Sequence, residues 1–401
     1  MDIRITPSNL NGNIEAVSSK SYAHRLVLAC ALSNASSEIY IKNCSADLSA
    51  TIEVLKSLGA KISSSSNLYK ITPINFDLLP EKITIDVHDS GATLRFMLPI
   101  ISALLSQTTY VGDSKLATKQ FSDLLYSLKG IGFSAEKLPF TTKGRLNSGE
   151  YYIAKGINSQ FVSGLMFALP LLKEDSKIIF MQKTSTLNTD ITMQVSSLFG
   201  IKIDKTEQGY LVYGNQKYSA IPSTVVEGDY FLSAYWYLAN KLGGDINIKN
   251  LNVNSMQIEK DFFAEIDSLF AKPNKTIKVI DLDRLPLLSV GACFVKGQTI
   301  LELSQFIAAK EVAKINVLVN AISKMGGDIR FAENKIIVNG NSLVGDCIVD
   351  CFGDFKLAMA IAIGGCYCKR SIKILDCQCV NKGYSGFFND LNALGGKANA
   401  E

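Results

Sequence analysis

Six times along this chain an amphipathic helix ends at a Gly or Ala and runs directly into a strand, at Leu58-Gly59, Ile131-Gly132, Phe199-Gly200, Phe270-Ala271, Met325-Gly326 and Leu394-Gly395. The second members are spaced by 73, 68, 71, 55 and 69 residues. So regular a period means one folding unit used six times, each copy burying its helices against its neighbours. The Gly at such a joint is expected to stop the helix in the left-handed conformation that other residues avoid. The 55-residue interval is short by more than a dozen, which predicts that one copy has lost a strand pair.

At 401 residues the chain exceeds one ordinary core, and six units divide into three and three. The predicted domains are 19–227 and 1–18 plus 228–401, with the crossover at the turn 226–229 and the first strand, Ile3–Thr6, belonging to the second half. Each unit reads strand, helix, strand, helix, strand, strand. One helix of each is an amphipathic outer helix: Leu48, Ile52 and Leu55 make such a stripe, as do Ile315, Leu318, Val319, Ile322 and Met325, the latter followed by a predicted hairpin at 328–331 and 335–338. The other is apolar all round, at 26–32, 94–105, 161–172, 285–294 and 357–363, and a helix apolar all round is buried all round.

A net charge of +4 is too small to mark a nucleic-acid binder but suits an anionic small molecule. The longest apolar runs, 96–105 and 357–366, are too short to span a membrane, and the N-terminus MDIRITPSNL has no signal-peptide pattern. Nine cysteines in a long chain of this kind predict reduced thiols in a cytoplasm. Cys366, Cys368, Cys377 and Cys379 form two C-x-C pairs rather than the C-x-x-C knuckles of zinc sites, so they read as buried thiols and no metal is expected.

The buried helices of the first half share a feature: small hydroxyl or amide residues at the N-terminal end, two of them followed by cations. They are Ser19-Lys20-Ser21-Tyr22-Ala23-His24-Arg25, then Asp89-Ser90-Gly91-Ala92-Thr93-Leu94-Arg95, then Asn158-Ser159-Gln160. Helix N-termini offer free N–H groups and the positive end of the dipole, which suit phosphate or carboxylate. Each segment alone reads as a plain N-cap, but three at equivalent places in a repeat fold point to one anion site. The second half puts acids and bases at its helix starts: Asp283 before Leu285-Pro286, Lys310-Glu311 before Ile315, and Asp354 with Lys356 before Leu357. Taken alone, Asp283 reads equally as an N-cap, and Lys310 with Lys314 as a solvated face.

The succession S-K-S-x-x-x-R, S-G-x-T-x-R and S-Q-F, carried on six repeats, resembles the EPSP synthase (3-phosphoshikimate 1-carboxyvinyltransferase) family over essentially the whole chain. The resemblance implies an α/β (α+β) protein, a two-domain inside-out α/β barrel with three βαβαββ units per domain, whose substrates bind between domains that close over them. It implies transfer of the enolpyruvyl group of phosphoenolpyruvate to the 5-hydroxyl of shikimate 3-phosphate, with release of phosphate, no cofactor, and a monomeric cytoplasmic enzyme.

By the same resemblance, Lys20, Ser21 and Arg25 correspond to the shikimate-phosphate cluster and its central lysine, and Ser159, Gln160 and Ser185 to further contacts with the shikimate phosphate and ring. Asp283 corresponds to the acid on the shikimate hydroxyls and candidate base, Lys310 to another shikimate contact, and Glu311 to the carboxylate of proton transfer at the enol methylene. The phosphoenolpyruvate side takes in Lys20, Gly91, Lys119, Gln160, Lys314, Asp354, Lys356 and Lys382, and the catalytic set is Lys20, Asp283, Glu311 and Lys382. These residue types fit the chemistry, because two anions held side by side need a positive lining, and protonating a vinyl carbon needs an acid acting together with the hydroxyl's base.

The chain departs from the family pattern systematically. Three arginines on phosphoenolpyruvate are Lys119, Lys314 and Lys356, so the charge is kept while the two-pronged grip of a guanidinium is lost. Ala92, Asn158, Asn188 and Phe306 replace the usual Thr, Ser, Tyr and Asn. These changes leave one competing expectation, a binding protein or pseudoenzyme on the same scaffold that holds a phosphorylated ligand without turnover. The sister enzyme acting on UDP-N-acetylglucosamine is disfavoured, since Lys20 is followed by Ser21 rather than Asn and 113–119 lacks Cys. A nucleic-acid-end-processing relative is disfavoured because only His24 and His88 are available for histidine chemistry.

Overall fold

The apolar stretches predicted as buried helices are helices in the computed structural model, which describes residues 1–154, 156–182, 188–303 and 307–401. They are Lys20–Leu32, Gly91–Leu104, Ser159–Ala168, Leu285–Cys293 and Phe355–Cys366, joined by a sixth, Tyr230–Lys241. The chain divides into two compact units, Ser18–Glu227 with Met256–Ile258, and Met1–Val17 with Gly228–Ser255 and Glu259–Glu401.

The Ser18–Glu227 unit has three four-stranded sheets of one pattern. Their strand orders are Ser223–Val225, Ser37–Tyr40, Leu68–Thr72, Lys61–Ser65; Lys82–Asp86, Gln107–Val111, Phe140–Lys143, Gly132–Phe133; and Glu150–Ile153, Ser176–Phe180, Gly209–Val212, Ile203–Thr206. In each sheet the first two strands are parallel and the remaining pairings antiparallel. A parallel pair needs a crossover, and the buried helices Gly91–Leu104 and Ser159–Ala168 are those crossovers. These two helices approach so closely that a Cβ on Gly164 would lie 2.6 Å from the Phe96 carbonyl oxygen, so only Gly fits there.

The second unit repeats the pattern in two sheets: Lys275–Lys278, Gly297–Glu302, Lys335–Gly340, Asp328–Ala332; and Cys347–Asp350, Ile372–Leu375, Ile3–Thr6, Lys397–Ala400. The first strand, Ile3–Thr6, thus closes the last sheet, against Ile372–Leu375 and Lys397–Ala400. The third sheet has only two strands, Asp245–Lys249 parallel to Asn11–Glu15. This is the short copy, and the strands it lacks are the antiparallel hairpin.

Losing that hairpin removes more than two strands. In the five complete copies the chain leaving the hairpin donates a backbone N–H to the end of the copy's own buried helix: Ile74 to Ala31 O (2.9 Å), Leu146 to Ser102 O (2.8 Å), Gln216 to Pro170 O (2.8 Å), Ser342 to Cys293 O (2.8 Å) and Ser8 to Cys366 O (2.9 Å). These bonds satisfy carbonyls that a helix end otherwise leaves open. In the short copy the Tyr367 hydroxyl donates to Ala239 O at 3.0 Å, alongside the Gly244 N–H at 3.0 Å. The exposed edge of Asp245–Lys249 is blocked as well, since the Asn240 amide accepts from Ile246 N–H (2.7 Å) and donates to Ile246 O (2.8 Å). Bulky rings fill the space beside this copy's helix, with Trp236 stacked on Phe387 at 5.1 Å and edge-on to Tyr384 at 6.2 Å.

Gly59, Gly200, Gly326 and Gly395 stop their helices with φ of +98°, +77°, +87° and +92°. Two of the six expected joints differ. The outer helix of the second copy breaks into Ser114–Ala117 and Ser122–Tyr126, the left-handed residue is Gly130, and Gly132 is already in a strand. At the fourth joint Ala271 is the last helical residue and Lys272 is extended (φ −159°), because Pro273 follows and a residue before proline disfavours helix. No described helix is long and apolar enough to cross a membrane. All nine cysteines carry free thiols, and burial pushes Cys366 up to about 11 and Cys368 and Cys377 up to about 12.

Candidate active site

In the Ser18–Glu227 unit the starts of the three buried helices converge on one cavity of about 320 Å³. Lys20, Ser21, His24 and Arg25 come from the first helix, Ala92 and Phe96 from the second, and Asn158, Ser159 and Gln160 from the third, with Asp47 and Asn188 completing the wall. The helix starts are held by local caps: Ser90 Oγ accepts from Thr93 N–H (3.1 Å) and Asn158 Oδ1 from Gln160 N–H (2.8 Å). The positive ends of three helix dipoles and the Lys20 ammonium therefore face one space.

Arg25 is 2 % exposed. Its guanidinium donates to Ser21 O (2.7 Å), Thr192 Oγ1 (2.7 Å) and Ser163 Oγ (2.8 Å), and lies 5.1 Å from the Phe96 ring centre. These bonds tie the first helix to Ser163 and Thr192 on two others, so the fixed charge is also a strut. Arg95 donates to Gln160 Oε1 at 3.3 Å and orients that amide. Burial lowers the Arg95 pKa, with Asp47 acting in the opposite direction. A Cβ on Gly91 would sit 3.0 Å from Arg95 Nη1, so Gly91 keeps that helix start bare. His24 stacks on Phe96 (5.6 Å between centroids) and its Nδ1 shares a hydrogen bond with Thr51 Oγ1 at 3.0 Å. Burial pushes this imidazole down to about 4, so at neutral pH it is an uncharged wall.

The second unit has its own cavity, with room for about one water at 30 Å³, lined by Asp283, Glu311, Lys314, Asp354 and Lys356 beside Pro286, Ile315 and Leu318. Lys356 Nζ lies 2.5 Å from Asp283 Oδ1 and 5.4 Å from the Phe355 ring centre. Lys314 Nζ meets both oxygens of Glu311, at 3.1 and 3.2 Å. Asp354 caps the helix Phe355–Cys366, its Oδ1 accepting from Lys356 N–H (2.9 Å) and Leu357 N–H (3.3 Å). The alternative of Asp283 as a cap does not hold: Asp281 takes that role, accepting from Asp283 N–H at 2.9 Å, and leaves the Asp283 carboxylate for Lys356.

Of the residues expected from the sequence, Lys20, Ser21, Arg25, Ser159 and Gln160 line the first cavity, and Gly91 adjoins it through Ala92. Asp283, Glu311, Lys314, Asp354 and Lys356 line the second. Three lie off the two linings and are exposed: Lys119 at the break between two short helices, Lys310 in the first turn of Ala309–Lys324, and Lys382 at the end of the turn Cys377–Lys382. Ser185 and Phe306 lie outside the described residues. The sequence alone assigns no site role to His24 or Asp47, and places Arg95 only as the cation that follows the second helix start. The i, i+4 spacing of Gly91 and Arg95 was the available signal for the last, since it stacks the guanidinium over the bare helix start.

The sequence profile of the family described as EPSP synthase (3-phosphoshikimate 1-carboxyvinyltransferase) matches residues 5–391. A 3-phosphoshikimate 1-carboxyvinyltransferase of Clostridium perfringens is 32 % identical and one of Clostridium novyi 33 % identical, each alignment covering 98 % of both chains. Two structures of EPSP synthase from Acinetobacter baumannii superpose with TM-scores of 0.84 and 0.85 over the whole of both chains, at 17 % and 18 % identity, a likeness of fold.

Proposed function

This chain belongs to the EPSP synthase (3-phosphoshikimate 1-carboxyvinyltransferase) family, and from that premise we propose that it transfers the enolpyruvyl group of phosphoenolpyruvate to the 5-hydroxyl of shikimate 3-phosphate. The match along 98 % of the chain to relatives bearing that name carries the reading. The enzyme is a transferase of aromatic amino-acid biosynthesis. Addition followed by elimination moves no electrons between molecules, so the chemistry asks for no redox cofactor.

The Ser18–Glu227 unit takes shikimate 3-phosphate. Lys20, Ser21 and Ser159 hold the phosphate at the helix starts, the buried Arg25 charge adds to the potential there, and Gln160, held by Arg95, addresses the ring. Ser185 and Lys310 are further shikimate contacts. In the second unit Asp283 takes the proton of the 5-hydroxyl as its oxygen bonds to the enol carbon, and Glu311 delivers a proton to the methylene. Loss of that proton then restores the double bond and expels phosphate. Lys20, Lys314, Lys356 and Lys382, with Lys119, Gly91, Gln160 and Asp354, hold phosphoenolpyruvate and its departing phosphate. The ion pair Asp283–Lys356 supports the first of these assignments, because it joins the proposed base to a proposed anion contact.

The enzyme works as a monomer in the cytoplasm, where its free thiols stay reduced. A single-turnover assay with both substrates, reading phosphate and enolpyruvyl product, tests the reaction. Binding of shikimate 3-phosphate with no product at saturating phosphoenolpyruvate would return the pseudoenzyme reading. Sedimentation velocity checks the monomer.

A further inference from the structure

The three buried helices of the Ser18–Glu227 unit also end together, at a second and much larger cavity of about 910 Å³. Leu32 and Ser33 bring the end of the first helix to it, Leu104 that of the second, and Leu171 the 3-10 turn Leu169–Leu171 that continues the third. Helix C-termini ordinarily repel anions. Here those ends are already bonded by Ile74, Leu146 and Gln216 N–H groups, which leaves side chains to set the character of the space. Half-buried Leu79, Leu104 and Leu171 give it an apolar floor beside a Phe76 that is 41 % exposed, and Asn34, Gln107, Asn215 and Gln216 add polar lining. Its rim is basic: Lys82, Arg145 and Lys217 stand against one acid, Glu81. These three cations are exposed, and their side chains have no ion-pair or hydrogen-bond partner among the described residues.

We propose that this cavity is a binding site for a small amphipathic carboxylate, its aryl or alkyl body on the Leu79–Leu104–Leu171 floor and its head between Arg145 and Lys217. The volume lies within the range of small-molecule sites, about 300–1,000 Å³. An apolar floor with unpaired cations at its edge matches that ligand shape and disfavours an ammonium. Nothing in the enolpyruvyl transfer uses these residues.

The probe is 4-phenylbutyrate, titrated into the full chain by calorimetry beside its neutral amide. The expected result is saturable one-site binding, with the amide at least about tenfold weaker. R145E/K217E, two exposed substitutions, weakens the carboxylate at least about tenfold with turnover unchanged, and Leu104→Trp, which fills the floor, removes binding. The proposal is overturned by absence of saturation up to about 10 mM, by equal binding of acid and amide, by indifference to R145E/K217E, or by displacement of the probe with shikimate 3-phosphate. A concentration-dependent dimer that R145E/K217E dissociates would also overturn it, giving this face to a second copy instead.

Discussion

Lys356 reaches Asp283 at 2.5 Å, from the first turn of one buried helix to the turn that opens another. The Asp283 side chain is half exposed and the Lys356 side chain 20 % exposed, so the pair adds little to stability. It places the proposed base beside a cation proposed to meet the incoming anion. Asp283→Asn is expected to lower kcat by about 10²-fold or more, with the urea midpoint nearly unchanged. An increase in the KM for phosphoenolpyruvate at constant kcat would instead make Asp283 a mere anchor for Lys356.

By the family resemblance, Lys119, Lys314 and Lys356 correspond to arginines on phosphoenolpyruvate. K119R/K314R/K356R restores the forks, and each is expected to strengthen the grip on phosphoenolpyruvate by about 1 kcal/mol, roughly fivefold, where its geometry is met. Steady-state KM values for the single and combined variants check this. Unchanged KM in all of them would mean that these positions do not touch the ligand.

Arg25 and Lys20 are both cations of the first cavity, but they differ in what else they hold. Lys20→Met is expected to abolish turnover and leave thermal stability within about 0.5 kcal/mol. Arg25→Lys cannot reproduce the bonds to Ser21, Thr192 and Ser163, and is expected to cost about 2–4 kcal/mol of folding stability as well as substrate affinity. Paired denaturant and binding curves separate the two.

His24 titrates at about 4 in the fold against 6.5 when unfolded, because burial penalises the imidazolium. The unfolded chain therefore binds the proton first. Stability is fully retained above about pH 6.5 and falls as pH drops towards 4, by up to about 3 kcal/mol. Urea midpoints between pH 7 and 4 are expected to fall more steeply in the native chain than in His24→Gln. Parallel slopes would show that other groups govern acid unfolding.

Tyr367 stands in for a missing connector. Tyr367→Phe removes one of the three donors on Ala239 O, beside the Leu242 and Gly244 N–H groups, and is expected to cost about 1 kcal/mol, read as a lower urea midpoint with unaltered kinetics. No change in midpoint would mean that the Leu242 and Gly244 N–H groups satisfy that carbonyl without the hydroxyl.

Much of the fold was legible along the chain because its signals are local. Apolar periodicity marked which helices are buried and which lie outside, and the 55-residue interval marked the copy without a hairpin. The joints Ile131-Gly132 and Phe270-Ala271 differ from the other four because a small residue after an apolar one does not by itself stop a helix. Gly130 sits two residues earlier with its own left-handed turn, and Pro273 ends the other helix without one. The devices that make the short copy viable, Tyr367 on Ala239 and Asn240 on Ile246, combine distant and nearby partners that no periodicity announces.

By itself the sequence determined the kinds of group the site contains, since hydroxyls, amides and cations at helix starts are a matter of order along the chain. Only the tertiary structure decided what each group faces: Asp281 rather than Asp283 as the cap, Asp283 on Lys356, Arg25 locked to Ser163 and Thr192, and Lys119, Lys310 and Lys382 off the cavity walls. Position along a helix sets which turn a side chain leaves from. Its partner across the gap depends on how other helices pack, and that is a property of the whole core rather than of any segment.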